Sequence, residues 1–128
     1  MNRFLEHCGA KYPIVQAPMG WIARSRLASA VCNAGGLGVI ETSSGETENC
    51  MAEIAKMKDL TDAPFGVNLP IMFLKDPAIL DHICGSGVKF VTTSAGSPRK
   101  FVGPLQEAGI IVYHAVPTVA AAMGCVEA

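Results

Sequence analysis

The stretch "LASAVCNAGGLGVIE", residues 27–41, reads as a helix that turns directly into a buried strand. Leu27, Ala28, Val31 and Cys32 recur at helical spacing, with Ser25 ahead of them as the predicted N-cap. Gly35 stands where such a helix closes on a left-handed residue. "LGVIE" (37–41) then runs as a strand that is apolar until Glu41. The glycines of residues 34–38 lie between helix and strand, so they read as a tight connection. A phosphate cradle would need its N–H groups at the start of a helix instead.

The same alternation extends in both directions. A strand is predicted over Pro13–Ala17, and a helix over residues 47–60 with Met51, Ile54, Ala55 and Lys58 on one face and Glu48, Glu53 and Lys56 left for solvent. "FGVN" (65–68) is the third strand. The next helix is punctuated by Asp76 as cap, Pro77 in the first turn, Ile79, Leu80 and Ile83 inward, and Gly85 as stop. "VKFVTTS" (88–94) is the fourth strand. Ser97-Pro98 opens a helix bearing Phe101, Val102 and Leu105, closed by Gly109, and "IIVYH" (110–114) is the fifth strand. Thr118 caps a last helix that runs to the terminus.

Strands this apolar have no wet face, which implies a parallel sheet covered by helices. A doubly wound sheet of five strands would be complete at 128 residues. A (β/α)8 barrel needs about 250 residues, so the chain would be roughly half of one. The sequence closes on "AAAMGCVEA", inside a helical pattern without a glycine stop. The expectation is therefore an α/β fold, a partial (β/α)8 barrel of about the first five βα units. Residues 1–128 would be the N-terminal portion of a single domain.

Half the residues are hydrophobic and 16% are charged, so a packed core is expected rather than disorder. A net charge of −1 gives no field to hold nucleic acid or an anionic membrane. No apolar run approaches the roughly 18–20 residues of a membrane span, and the first residues lack a signal-peptide core. The expected location is the cytoplasm. Cys8, Cys32, Cys50, Cys84 and Cys125 are scattered without a Cys-x-x-Cys pair, which suits reduced thiols. His7, His82 and His114 show no ligand spacing, and no metal site is expected.

In a parallel α/β fold the chemistry collects where strands end. Those ends are "APMGW", "ETSSG", "NLPIMF", "TTSAGS" and "HAVPT". A Gly-x-Gly-x-x-Gly dinucleotide fingerprint is absent after the first strand.

Taken in order, "PIVQAPMGW", "LASAVCNAGGLGVIE", "LTDAPFGVNL", "VKFVTTSAGSP" and "EAGIIVYHAVPTV" resemble the nitronate monooxygenase (2-nitropropane dioxygenase) family. They are similar as well to its relatives, the flavin-type enoyl-acyl-carrier-protein reductases. The resemblance covers nearly the whole chain from Tyr12 onward. It implies an FMN-dependent (β/α)8 barrel in which the turn after the first strand lies beneath the flavin ring. Ala17, Pro18 and Met19 would then line the flavin, and Asn68 would hydrogen-bond it, an amide offering both donor and acceptor. Ser94 and Gly96 would face the substrate.

The family's catalytic histidine and the loops gripping the FMN phosphate lie further along than residue 128. His114, a lone polar residue at a strand end, is the remaining histidine candidate. Ala115 stands where some members carry a lysine. The implied reaction is oxidation of alkyl nitronates with molecular oxygen. The alternative is NAD(P)H-dependent reduction of an enoyl thioester. A reading of another class is a non-catalytic half-barrel acting by association through its open edges, as a homo-oligomer or with another chain. The chain alone is expected not to turn over.

Overall fold

The computed structural model describes residues 2–126. The last two residues of the closing helical pattern lie outside them. Helix α1 (Arg3–Cys8) is followed by α2 (Ser25–Asn33), β1 (Val39–Ile40), α3 (Thr47–Leu60), β2 (Gly66–Pro70), α4 (Ala78–Gly85), β3 (Phe90–Ser94), α5 (Arg99–Glu107), β4 (Ile111–His114) and α6 (Val119–Val126). The strands form one parallel sheet in the order β1-β2-β3-β4. Each new strand adds beyond the last, with no reversal across the first, which is barrel order rather than doubly wound order.

The predicted first strand, Pro13–Ala17, is reduced to a single parallel bridge between Val15 and Leu37. Leu37 N–H donates to the Ile14 carbonyl and Gln16 N–H to that of Leu37, after which the backbone ladder stops. Pro18 has no N–H to continue it. The third strand runs to Pro70 rather than ending at Asn68.

On one face of the sheet, Val67, Leu69 and Val91 pack with Ile54 and Met57 of α3, Ile79 and Ile83 of α4, and Leu105 of α5. Each such buried side chain contributes about 1.5–3 kcal/mol. On the opposite, inner face, Leu37, Val39 and Phe90 pack with Cys8 and Phe4 of α1. Phe4 meets Phe90 edge to face at 5.8 Å between ring centroids. Asn2 Oδ1 caps α1 by accepting the Phe4 N–H at 3.0 Å, and Gly9 closes it in the left-handed region.

The connection of residues 34–38 is the tight turn expected. A Cβ on Gly38 would sit 2.1 Å from the Ala28 carbonyl oxygen, so only glycine lets β1 lie so close to α2. Thr118 Oγ1 accepts the Ala121 N–H at 3.1 Å and caps α6, and Asp76 Oδ1 does the same for α4 through Ala78.

Three local expectations are corrected. Ser25 is the first helical residue of α2, not its cap. Glu53, expected in solvent, is buried, while Ala55 and Lys58 are exposed. Its carboxylate accepts the Ser25 N–H at 2.8 Å and the Ser25 hydroxyl at 2.5 Å, capping α2 from a neighbouring helix. Gly85 is helical, and the left-handed residue that ends the turn is Gly87.

The five cysteines are free, and burial pushes the Cys32 and Cys50 thiols up, away from the reactive thiolate form. Among the described residues no helix is long and apolar enough to cross a membrane.

Candidate active site

Side chains alternate across a strand, so the register sorts the strand ends into two rows. Gly66, Asn68 and Pro70 align with Phe90, Thr92 and Ser94, and Phe90 and Thr92 align in turn with Ile111 and Tyr113, on the inner face. Leu69, Thr93 and His114 align on the face that packs against the helices. Asn68 and Ser94 are thus brought to one side of the sheet. His114 is not: its Nδ1 lies 2.7 Å from the hydroxyl of the fully buried Thr93.

Asn68 is 7% exposed and firmly held. Its Nδ2 donates to Thr92 Oγ1 at 2.8 Å and to the Thr92 carbonyl at 3.2 Å, while its own carbonyl accepts the Thr42 hydroxyl at 2.7 Å. Among the described residues Oδ1 has no partner, so the amide presents a fixed, free acceptor.

Ala17, Pro18 and Met19 are exposed, Met19 by 40%. Among the described residues no hydrogen bond engages the N–H groups of Ala17 or Met19, and both remain available as donors. The Met19 carbonyl accepts from Ile22 and Ala23, which folds residues 19–23 into a compact loop.

Beneath that loop lies a charged centre that the sequence pattern did not reveal. Glu41, completely buried, directly follows β1, as Asn68 follows the residue paired with Ile40. Its carboxylate accepts the Trp21 N–H at 3.2 Å, the Ser43 hydroxyl at 3.0 Å and the Ser44 N–H at 2.9 Å, and pairs with Arg24 at 2.7 Å. Burial opposes ionisation of Glu41. The Ser44 and Ser43 bonds, Arg24 and the Trp21 N–H outweigh it and hold the carboxyl below its ordinary value. Arg24 also reaches Glu46 at 2.8 Å and Ser44 Oγ at 3.1 Å. The available signal was an acid closing an apolar strand in "GVIETSSG".

Among the described residues, two other than glycine adopt positive φ: Trp21 at 59° and Ala95 at 51°. Both sit in loops that follow strand ends, where backbone strain tends to gather in functional sites. Gly96 (φ 149°) continues the second loop, and a Cβ there would meet Ile71 Cγ2 at 2.9 Å. Gly96 and His114 border a cleft of about 490 Å³ with Ser97, Arg99, Pro117 and Cys125. This cleft runs between the β3–α5 loop and α6, and Asn68 and the Ala17–Met19 turn are not part of its lining.

The arrangement matches known proteins. The chain is 34% identical over 117 residues to a 5-hydroxy-7a-methyl-1-oxo-octahydro-1H-indene-4-carboxyl-CoA dehydrogenase of Mycobacterium tuberculosis, covering 91% of this chain and 32% of that protein. It is 46% identical over 68 residues to the nitronate monooxygenase of Pseudomonas aeruginosa, covering 53% of this chain and 19% of that one. The solved structure of FabK from Thermotoga maritima superposes with a TM-score of 0.90 at 28% identity, covering 99% of this chain and 41% of FabK. The chain therefore spans about a third or less of the length of these curated relatives. The superposition establishes the fold as part of a (β/α)8 barrel. The nitronate monooxygenase family model matches residues 2–82, and the chain belongs to that family.

Proposed function

We propose that this chain supplies the ring-binding wall of an FMN site in an oxidoreductase that oxidises alkyl nitronates. The observation that carries the reading is Asn68: a buried amide, locked by Thr92 and Thr42, whose Oδ1 is left without a partner. An acceptor held rigid, unused and not sealed off from solvent is suited to a ligand N–H, and the pyrimidine edge of a flavin offers one.

The residues present fit that group. Ala17, Pro18 and Met19 give a rigid, exposed backbone with two free N–H donors, and Met19 adds a polarizable thioether for contact with a ring. Ser94, the last residue of β3, and Gly96, in the β3–α5 loop, are suited to the substrate side. The chemistry supplied by a bound flavin is acceptance of the substrate's electrons and their delivery to oxygen. The chain's part is to orient the ring, offer hydrogen bonds at its polar edge and wall off one side from water. His114, bonded to Thr93 behind the sheet, serves structure in this reading rather than proton transfer. The free, buried thiols suit a cytoplasmic setting.

A second reading is flavin-dependent chemistry on an acyl thioester, with NAD(P)H as the reductant where the reaction is enoyl reduction. Its support is that the CoA dehydrogenase aligns over 91% of the chain whereas the Pseudomonas nitronate monooxygenase aligns over 53%. Steady-state assays of the protein expressed from its complete gene separate the two. Nitronate-dependent oxygen uptake supports the first reading. Thioester-dependent turnover without it supports the second.

A further inference from the structure

The loop that carries the candidate flavin contacts contains a residue in a backbone state it does not prefer. Trp21, at φ 59°, is a bulky residue in the left-handed region and is 68% exposed, so packing does not hold it there. The Trp21 N–H donates to Glu41 Oε1, and Glu41 is itself 0% exposed. The same carboxylate grips Arg24 at the far end of the loop. The Glu41 N–H, in addition, donates to the Ala23 carbonyl at 2.9 Å. One residue thus holds the loop at Trp21, Ala23 and Arg24, directly after Ala17–Met19. The Ser44 N–H, the Ser43 hydroxyl and Arg24 together keep this buried acid ionised against the cost of burial, and an ionised acceptor makes the stronger bond to Trp21.

We propose that Glu41, clamped to Arg24, is a positioning residue: it fixes Trp21 in the left-handed state and so sets the Ala17–Met19 turn for the flavin ring. The proposal rests on the flavin reading above. Loosening the clamp lets Trp21 relax to negative φ, which turns the adjoining peptide and moves the donors of the turn.

Trp21 is the sole tryptophan, so its fluorescence reports on the loop. The test is FMN titration of the natural-length protein and its Glu41→Gln, Trp21→Gly and double variants, followed by flavin fluorescence and visible absorption. Glu41→Gln should weaken FMN binding about tenfold, the order expected for losing a charge-assisted hydrogen bond. It should also shift the flavin absorption band and raise iodide quenching of Trp21. Glycine adopts φ 59° without strain, so adding Glu41→Gln to Trp21→Gly should weaken FMN further by less than about twofold.

Equal FMN affinity and spectra for the parent and Glu41→Gln overturn the proposal, as do fully additive effects. Where Glu41→Gln alone does not fold, the double variant decides: restored folding and FMN binding support the clamp, and failure to fold assigns Glu41 to general stability and overturns it. A parent that binds no FMN refutes the flavin reading and the proposal together. A parent that binds with an unaffected Glu41→Gln refutes the proposal alone.

Discussion

The side-chain amide of Gln16 satisfies both backbone groups of Val39: Oε1 accepts the Val39 N–H at 3.2 Å and Nε2 donates to the Val39 carbonyl at 3.1 Å. A side chain here takes the place of a strand. Past the Val15–Leu37 bridge, the backbone is free to swing into Ala17-Pro18-Met19 while β1 keeps its pairing. The opening of the candidate site therefore follows from one glutamine.

Gln16→Ala is expected to destabilise the fold by about 2–4 kcal/mol, because it orphans an N–H and a C=O on the fully buried Val39. Urea denaturation of the variant and its parent measures this. A loss below about 0.5 kcal/mol would show that water or a shifted backbone replaces the amide.

Glu53 makes stability pH-dependent. Burial raises its pKa, but the bonds from Lys56 (2.5 Å) and Ser25 dominate and bring the carboxyl from 4.5 down to about 2. A folded value below the unfolded one contributes stability that is present above pH 4.5 and lost as pH falls toward 2. The whole effect is at most about 3 kcal/mol. Denaturation midpoints at pH 7, 4 and 2.5 should show a steeper acid loss in the parent than in Glu53→Gln. Parallel curves would contradict the assignment.

Glycine substitutions should split by position. Gly38→Ala drives a methyl group into the Ala28 backbone and is expected to cost more than about 4 kcal/mol or abolish soluble expression. Gly124, inside α6 and with no atom beyond its chain neighbours and its own helix backbone within 4 Å of an added Cβ, should instead gain about 0.5–1 kcal/mol as alanine. Thermal melts of both variants check the contrast.

These elements show what the sequence could and could not tell. From α2 onward the order of helices and strands was legible because the hydrophobic periods and the Asp76, Thr118, Gly35 and Gly109 punctuation are local, whereas the short helix α1 (Arg3–Cys8) was not read from the sequence. The first strand was overextended because its apolar pattern is blind to Gln16 replacing the ladder. Glu53 was assigned to solvent because a charged residue on a helix usually points there, and its partner Ser25 lies 28 residues away. The Arg24–Glu41–Trp21 centre stayed hidden for the same reason. It is assembled across the sheet edge, and nothing in "WIAR" alone announces a left-handed tryptophan. Asn68 was singled out as a candidate through family resemblance, and its lock on Thr92 is visible only in three dimensions.

The most direct measurement is a crystal structure of the natural-length protein with FMN, paired with FMN titration of Asn68→Ala. The expected result is the isoalloxazine ring against Ala17–Met19, with Asn68 Oδ1 within about 3.2 Å of a ring N–H. Asn68→Ala should bind FMN about tenfold more weakly. A flavin seated elsewhere, or one bound equally well by Asn68→Ala, would contradict the assignment of this face as the ring-binding wall.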